Sequence, residues 1–313
     1  MLVYNPYAGR YPSWLLSERA AKVLEKNGWE IELRQSQQAS DIIQTAQQAA
    51  EQGLDAYFIV GGDGTINLAA RGLVGSETAL GVLPGGTANV FAQELGLPGL
   101  SWTRIMALEE SARLLTTAEA RRVDLGWCGS TPFLLWAGVG LDAFVIHRIE
   151  PRPRWEKHFA AVSYAASTVW HAAAWRGINM SIVADGEQIT GHYLMGVASN
   201  VHLYAGGIAQ LSPQARLDDG VLDLCLFEGD TLGDAVQCAW DVFAGRHEDT
   251  SRVRQTSFRR LVIETETPMY LQVDGEPVTY DSRTVELYVQ KQALKVLVPQ
   301  NTPWQLFSER SGI

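Results

Sequence analysis

The run Gly61-Gly62-Asp63-Gly64-Thr65-Ile66-Asn67 follows the apolar stretch Tyr57-Phe58-Ile59-Val60 and precedes a helical pattern. Glycines let a backbone approach a phosphate closely, and free N–H groups at a helix start favour an anion. An aspartate does not attract phosphate, so Asp63 is expected to hold a cation or its waters. The plainer alternative is a glycine-rich strand-to-helix turn with Asp63 as its cap. A second run, Leu83-Pro84-Gly85-Gly86-Thr87-Ala88-Asn89, repeats the design after Leu80-Gly81-Val82-Leu83. Two such loops at the carboxyl ends of neighbouring strands face one crevice, where open α/β sheets bind ligands. Thr87 and Asn89 would add hydroxyl and amide contacts there. No Gly-x-x-x-x-Gly-Lys-Ser/Thr occurs, so this is not a Walker-type loop.

Those loops need a parallel sheet, and the first 120 or so residues supply the pattern for one. Leu2-Val3-Tyr4 reads as a short strand, and Ser13 as the cap of a helix with Leu15, Leu16, Val23 and Leu24 on one face. Gly28 stops that helix, Ile31 and Leu33 alternate as a strand, and Ser40-Asp41 and Gly53 bracket a second helix. Beyond Asp124 a helical region, about Trp155 to Trp175, gives way to strands divided by turns. These are Asn179–Val183, Tyr193–Ala198, Leu222–Phe227, Leu261–Glu264, Met269–Val273, Val285–Val289 and Leu294–Val298. Asp185-Gly186 and Asp274-Gly275 are hairpin dipeptides. The expected fold is an α/β N-terminal domain with a parallel sheet over 1–124 and a β-rich, sandwich-like C-terminal domain over 125–292. Residues 293–313 are expected to return to the first domain.

Composition narrows the function classes. A chain of 313 residues, 46% hydrophobic and 19% charged with 29 Gly, can bury a large core. A formal charge of −10 argues against a general nucleic-acid binder, since phosphate contacts dominate that affinity. Cys128, Cys225 and Cys238 form no metal spacing and no even disulfide set, which suits a reducing compartment. The chain opens without a secretory pattern, and Phe159–Trp175 is too short and polar to span a bilayer, so a cytoplasmic protein is expected.

Taken in order, the motifs resemble the diacylglycerol kinase-like lipid kinases, a group that includes sphingosine and ceramide kinases. The resemblance runs through Asn5-Pro6-Tyr7-Ala8-Gly9, Gly61–Asn67, Leu83–Gly96, Val123-Asp124-Leu125-Gly126 and Ala137-Gly138-Val139-Gly140-Leu141-Asp142-Ala143. It continues through Leu217-Asp218-Asp219-Gly220-Val221-Leu222-Asp223 and ends at Val273-Asp274-Gly275-Glu276, covering nearly the whole chain. It implies ATP-dependent phosphorylation of a lipid hydroxyl, with ATP in an interdomain cleft. By the same resemblance Asn5, Ser36, Gly61, Gly62, Asp63, Gly64, Thr65, Ile66, Asn67, Gly86, Thr87 and Asn89 would hold the nucleotide. Asp63 and Asp124 would serve the active-site Mg²⁺ and its waters, and Glu276 would be the general base. A second, structural Mg²⁺ would take the Asp219 carboxylate and the carbonyls of Arg216 and Val221.

Two positions depart from the family pattern: Leu68 stands where many relatives carry Glu, and Val90 where many carry Asp. They leave room for a non-catalytic nucleotide or lipid sensor. An NAD kinase-like enzyme shares the Gly-Gly-Asp-Gly loop, but Pro84–Asn89 followed by Phe91-Ala92 looks like the lipid group's version. Gly138-Val139-Gly140-Leu141-Asp142-Ala143 also fits a dinucleotide fingerprint, yet Pro151, Pro153 and the β-rich sequence beyond do not complete a βαβ unit. The stretch His147–Arg176 carries Arg148, Arg152, Arg154, Lys157 and Arg176 against Glu150 and Glu156, beside Trp155, Trp170 and Trp175. Cations beside Trp suit transient contact with an anionic membrane surface. A second basic stretch, Arg252, Arg254, Arg259 and Arg260, has no acidic residue between its ends and could add to that face; for the first stretch the plainer alternative is a packed helix with its charges merely solvated.

Overall fold

The computed structural model describes residues 1–6, 13–101, 103–149 and 175–308. The helical region expected over Trp155–Trp175 lies almost wholly outside them, as do Tyr7-Ala8-Gly9. By contacts the chain forms two compact units. The first holds Met1–Leu125, Arg216–Asp219 and Lys291–Ile313, and the second holds Gly126–Ala215 and Gly220–Gln290.

In the first unit the chain runs β1 (Leu2–Tyr4), α1 (Ser13–Lys26), β2 (Leu33–Gln35), α2 (Ala39–Glu51), β3 (Ala56–Gly61), α3 (Asp63–Leu73) and β4 (Ala79–Pro84). It continues with α4 (Val90–Glu94), α5 (Ala107–Thr116) and the start of β5 (Glu119–Cys128). The strands β2, β1, β3 and β4 pair in parallel in that order. Every residue of β3 and β4 is buried, as a strand covered on both faces requires. The expected strand at Ile31 begins only at Leu33 and is half-exposed, because it forms the edge. Ser13 is the first helical residue of α1 rather than its cap. For α2 the cap is Gln38, and Asp41 reaches back to accept the N–H groups of Gln37 and Gln38 at 2.9 and 3.2 Å. Gly53, at φ 65°, closes α2 with Leu54 N–H on the Ala49 carbonyl, a glycine-dependent helix stop.

The second unit contains β6 (Thr131–Phe133), β7 (Trp136–Gly140), α6 (Leu141–Ile149), β8 (Ile178–Ala184), β9 (Glu187–Ser199), β10 (Leu203–Tyr204), β11 (Ala209–Gln210) and β12 (Leu222–Glu228). Then come α7 (Leu232–Phe243), β13 (Val253–Phe258), β14 (Arg260–Thr265), β15 (Leu271–Val273), β16 (Glu276–Val278) and β17 (Thr284–Val298). The first half of β9 pairs with β8, and its second half lies between β7 and β12, so one long strand serves two sheet segments. Their inner faces share a core that includes Phe133, Ile182, Leu224, Leu261, Ile263 and Val285. The fold is thus a parallel-sheet α/β unit and a β-rich, sandwich-like unit, as the sequence leads one to expect.

Both Asp-Gly dipeptides form two-residue hairpins with positive φ at each central residue, 48° and 93° at Asp185-Gly186 and 49° and 81° at Asp274-Gly275. The two strands expected at Val285–Val289 and Leu294–Val298 are one, β17, since Gln290–Ala293 offers no Gly, Pro, Asn or Asp to break it. Its only irregularity among the positive-φ positions is Gln292 at φ 51°. The final residues of β17 belong to the first unit, where Val296 pairs in parallel with Leu80. Burial pushes the thiols of Cys128, Cys225 and Cys238 up to about 12, which leaves them unreactive. No helix among the described residues is long and apolar enough to cross a membrane.

The β3–β4 pair has one tight point, where Gly81 lies under the Phe58 ring and an added Cβ would stand 2.3 Å from Phe58 Cδ1. Gly81→Ala is therefore expected to destabilise the protein by about 1–3 kcal/mol through overpacking. Urea unfolding measures this, and an unchanged midpoint would show that the ring can yield.

Candidate functional site

The carboxyl ends of four parallel strands place the nucleotide candidates on one edge of the first unit. Ser36 follows β2, Asn5 follows β1, Gly61-Gly62 end β3, and Gly85-Gly86 follow β4. The two glycine loops are packed backbone to backbone. Gly85 N–H donates to the Gly61 carbonyl at 2.9 Å, and a Cβ on Gly86 would lie 2.4 Å from Gly62 Cα. A Cβ on Gly61 would lie 2.5 Å from Thr65 Cβ, so that position too admits only glycine.

Asp63 opens α3 and turns its carboxylate toward the other loop, with Oδ1 accepting Phe91 N–H at 3.1 Å. Burial raises its pKa, while the N–H groups of Val90 and Phe91 act in the opposite direction. Asn89 holds the second loop shut. It sits in the left-handed region at φ 55°, its Oδ1 accepts Gly86 N–H at 2.8 Å, and its Nδ2 donates to the Gly86 carbonyl at 2.9 Å. The side chain is thus turned onto its own loop, with both ends of the amide engaged by Gly86. Thr87 is exposed and borders an open cleft of about 690 Å³ with Gln93, Leu97, Leu100, Arg104 and Asn301.

Several expected nucleotide contacts point inward. Ile66 has no exposed surface and its N–H donates to the Gly62 carbonyl. Asn67 is buried, with Oδ1 accepting Arg71 Nε at 2.7 Å. Ser36 is buried, and its hydroxyl donates to the Tyr4 carbonyl at 3.3 Å. For these three the side chain shapes the strand ends and the helix, whereas the N–H groups of Gly64 and Thr65 open α3 and need no partner inside its first turn. Val90 is buried at the start of α4, and Leu68 is half-buried on α3.

Asp124, fully buried, ties the first unit's late segments together. Its N–H donates to the Leu217 carbonyl at 2.5 Å, and its Oδ1 accepts Gln292 N–H at 2.7 Å. Asp218 accepts the N–H and hydroxyl of Ser308, each at 2.7 Å. Arg216 and Asp219 lie in the first unit and Val221 in the second. Among the described residues no three His, Cys, Asp or Glu side chains converge on one point.

Glu276 lies in the second unit, exposed, at the first position of β16. The turn before it is anchored by Asp274, whose carboxylate accepts the N–H groups of Leu134, Leu135 and Trp136 at 2.9 to 3.1 Å. A second carboxylate, Asp142 at the start of α6, accepts Gln272 Nε2 at 3.0 Å, Tyr204 OH at 3.3 Å and Ala143 N–H at 2.7 Å. Gly138 makes room for this pair, since its Cβ would lie 2.1 Å from Asp142 Oδ2 and 2.5 Å from Gln272 Nε2. The fingerprint-like glycine is thus explained by packing, and β7 pairs only antiparallel, with β9 and β15. Asp274 was legible as a turn residue and Asp142 as part of a motif, but Gln272 carries no sequence signal at all.

The basic stretches look different in three dimensions. Arg252 pairs with Asp234 at 3.2 Å, Arg254 with Glu187 at 2.9 Å and Arg260 with Glu286 at 2.5 Å. Three of the four arginines of Arg252–Arg260 thus have an acidic partner within the second unit. Most of His147–Arg176 lies outside the described residues. At its ends Arg148 covers the Phe144 ring, and Trp175 donates its indole N–H to the Leu194 carbonyl at 2.9 Å.

Comparison with known proteins adds the following. Residues 1–128 match the diacylglycerol kinase catalytic domain family, and residues 136–298 match the YegS C-terminal NAD kinase beta sandwich-like domain family. The chain is 26% identical over 280 residues to the diacylglycerol kinase of Bacillus subtilis (strain 168), covering 88% of each chain. It is 29% identical over 288 residues to a Chromohalobacter salexigens protein named "Probable lipid kinase YegS-like", covering 90% of this chain and 88% of that one. A solved diacylglycerol kinase structure from Bacillus anthracis str. Sterne superposes with a TM-score of 0.72 at 20% identity, over 96% of this chain and 97% of that one.

Burial raises the Asp142 pKa to about 6, against the opposing hydrogen bonds from Gln272, Ala143 and Tyr204. By linkage, a folded-state pKa above the unfolded value gives stability that is present at low pH and lost as pH rises through about 6. The stability of Asp142→Asn relative to the parent should therefore improve from about pH 5 to about pH 7. Paired urea titrations at the two pH values measure it, and a pH-independent difference would refute the assignment.

Proposed function

We propose that this chain, which belongs to the diacylglycerol kinase-like lipid kinase family, transfers the γ-phosphoryl group of ATP to the hydroxyl of a membrane lipid. The observation that carries this reading is the contact of Gly62 with Gly86, which sets two glycine turns side by side at the strand ends. Small backbones there leave room for phosphate oxygens against the N–H groups that open α3. Asn5, Gly61–Thr65 and Gly86-Thr87 would hold the nucleotide, Thr65 and Thr87 being the hydroxyls within the two loop motifs.

Phosphoryl transfer needs positioned phosphates and an oriented nucleophile more than covalent chemistry. Mg²⁺, when bound, would neutralise charge on the phosphate oxygens, and Asp63 and Asp124 are the carboxylates in the first unit proposed to hold it or its waters. Asp63, joined to Phe91 N–H, would also keep the two loops in register as the nucleotide binds. Asp219, with the carbonyls of Arg216 and Val221, is proposed for a second, structural ion. In the second unit Glu276 would accept the lipid hydroxyl proton, on a turn that Asp274 ties to three backbone N–H groups. Diacylglycerol, a sphingoid base and phosphatidylglycerol each carry a hydroxyl that this chemistry accepts.

The direct test incubates the protein with γ-labelled ATP, Mg²⁺ and total lipid extract, with mass spectrometry of any labelled lipid. A labelled phospholipid is the expected product, and ATP binding without transfer to any lipid would refute the kinase reading in favour of a sensor. Glu276→Gln should lower turnover by about 10²–10⁴-fold, the usual worth of a positioned general base. Its ATP affinity, read by calorimetry, should stay within about twofold, and full turnover in the variant would remove the base assignment.

A further inference from the structure

We propose that Asp142 is a positioning residue that fixes the amide of Gln272, and through it the turn that carries Glu276. This deepens the kinase reading and rests on Glu276 acting as its base. The path is continuous: Asp142 Oδ2 accepts Gln272 Nε2 at 3.0 Å, and Gln272 Oε1 accepts Gly275 N–H at 2.9 Å. Gln272 is 1% exposed, so neither end of its amide can turn to water instead.

The orientation of that amide is determined from both sides. A carboxylate only accepts and a backbone N–H only donates, so the NH₂ must face Asp142 and the carbonyl must face Gly275. Asp142 is itself held by Ala143 N–H and by Tyr204, whose ring meets Trp136 edge-on at 5.2 Å. Gly138 lies directly opposite Gln272 in the β7–β15 register and leaves the space in which the pair meets. Asp274 holds the root of the turn and Gln272 its tip, so the backbone leading into Glu276 is fixed at two points.

The same unit holds an internal comparison. Asp185-Gly186-Glu187 is a second turn of identical sequence and hairpin form, with its Asp accepting the N–H groups of Arg259 and Arg260, both at 2.9 Å. Two residues before that Asp, where Gln272 stands in the other turn, is Val183, which has no amide to offer. Glu187 is paired with Arg254. The amide lock is specific to the turn that bears Glu276.

Asp142→Asn keeps the shape but lets an NH₂ face Gln272, which frees its amide to flip; Gln272→Met removes the amide and keeps the volume. Hydrogen exchange on the full-length protein should show Gly275 N–H exchanging about tenfold faster in both variants, the value of one buried hydrogen bond, with Gly186 unchanged. Label transfer from γ-labelled ATP to total lipid extract should show kcat lower by about 10–100-fold and the KM for ATP unaltered, as misplacement of a reacting group gives. Unchanged Gly275 exchange in both variants overturns the proposal, and so does faster exchange at Gly186 and Gly275 alike. Faster Gly275 exchange with undiminished kcat, in a protein that Glu276→Gln inactivates, also overturns it. If Glu276→Gln stays active while Gly275 alone loosens, the base assignment fails and the turn-fixing role of Asp142 stands.

Discussion

Where β3 and β4 end, the backbones of Gly62 and Gly86 meet with no side chain between them, and a methyl on Gly86 would intrude to 2.4 Å. The rest of this strand-end edge depends on this contact. With the loops in touch, Asp63 can reach across to Phe91 N–H and join the start of α3 to the start of α4. Asn89 can fold back on Gly86 only because a left-handed backbone carries it there. Bulk at Gly86 would push the two loops apart and strain both hydrogen bonds. The constraint is therefore steric first, and the electrostatics of the two helix starts follow from it.

The first unit was legible because its signals are local. Four-residue apolar runs closed by glycines read as buried parallel strands, and both form as such. The two Asp-Gly hairpins were legible for the same reason, since their backbone demands φ > 0 at both central positions. The direction of a side chain was not legible. Ile66, Asn67 and Asn89 lie within glycine motifs that look like ligand contacts, yet each faces its own backbone, its own helix or the core. A motif records that a residue type is needed, not which way it points.

Long-range pairings escaped the sequence altogether. Asp142 and Gln272 are 130 positions apart, and nothing in either neighbourhood announces the other. The partners of the basic run Arg252–Arg260 were hidden for a related reason. Its acidic partners Asp234, Glu187 and Glu286 come from α7, β9 and β17, so a local charge count sees only one side of each pair. Exposed pairs of this kind add little stability.

Four aspartates of the second unit differ in what they hold in place. Asp185, Asp234 and Asp274 accept backbone N–H groups and set turns or helix starts, a task any unit of this kind needs done. Asp142 accepts a side-chain amide that itself has a second partner, so its orientation is passed on to Gly275. That difference gives the second Asp-Gly-Glu turn a constraint the first one lacks, although the two are identical in sequence. A glutamate that merely ends a hairpin gains nothing from such a constraint. A glutamate that must meet a hydroxyl within hydrogen-bond reach gains a great deal, because a displacement of about 1 Å costs on the order of a hundredfold in rate.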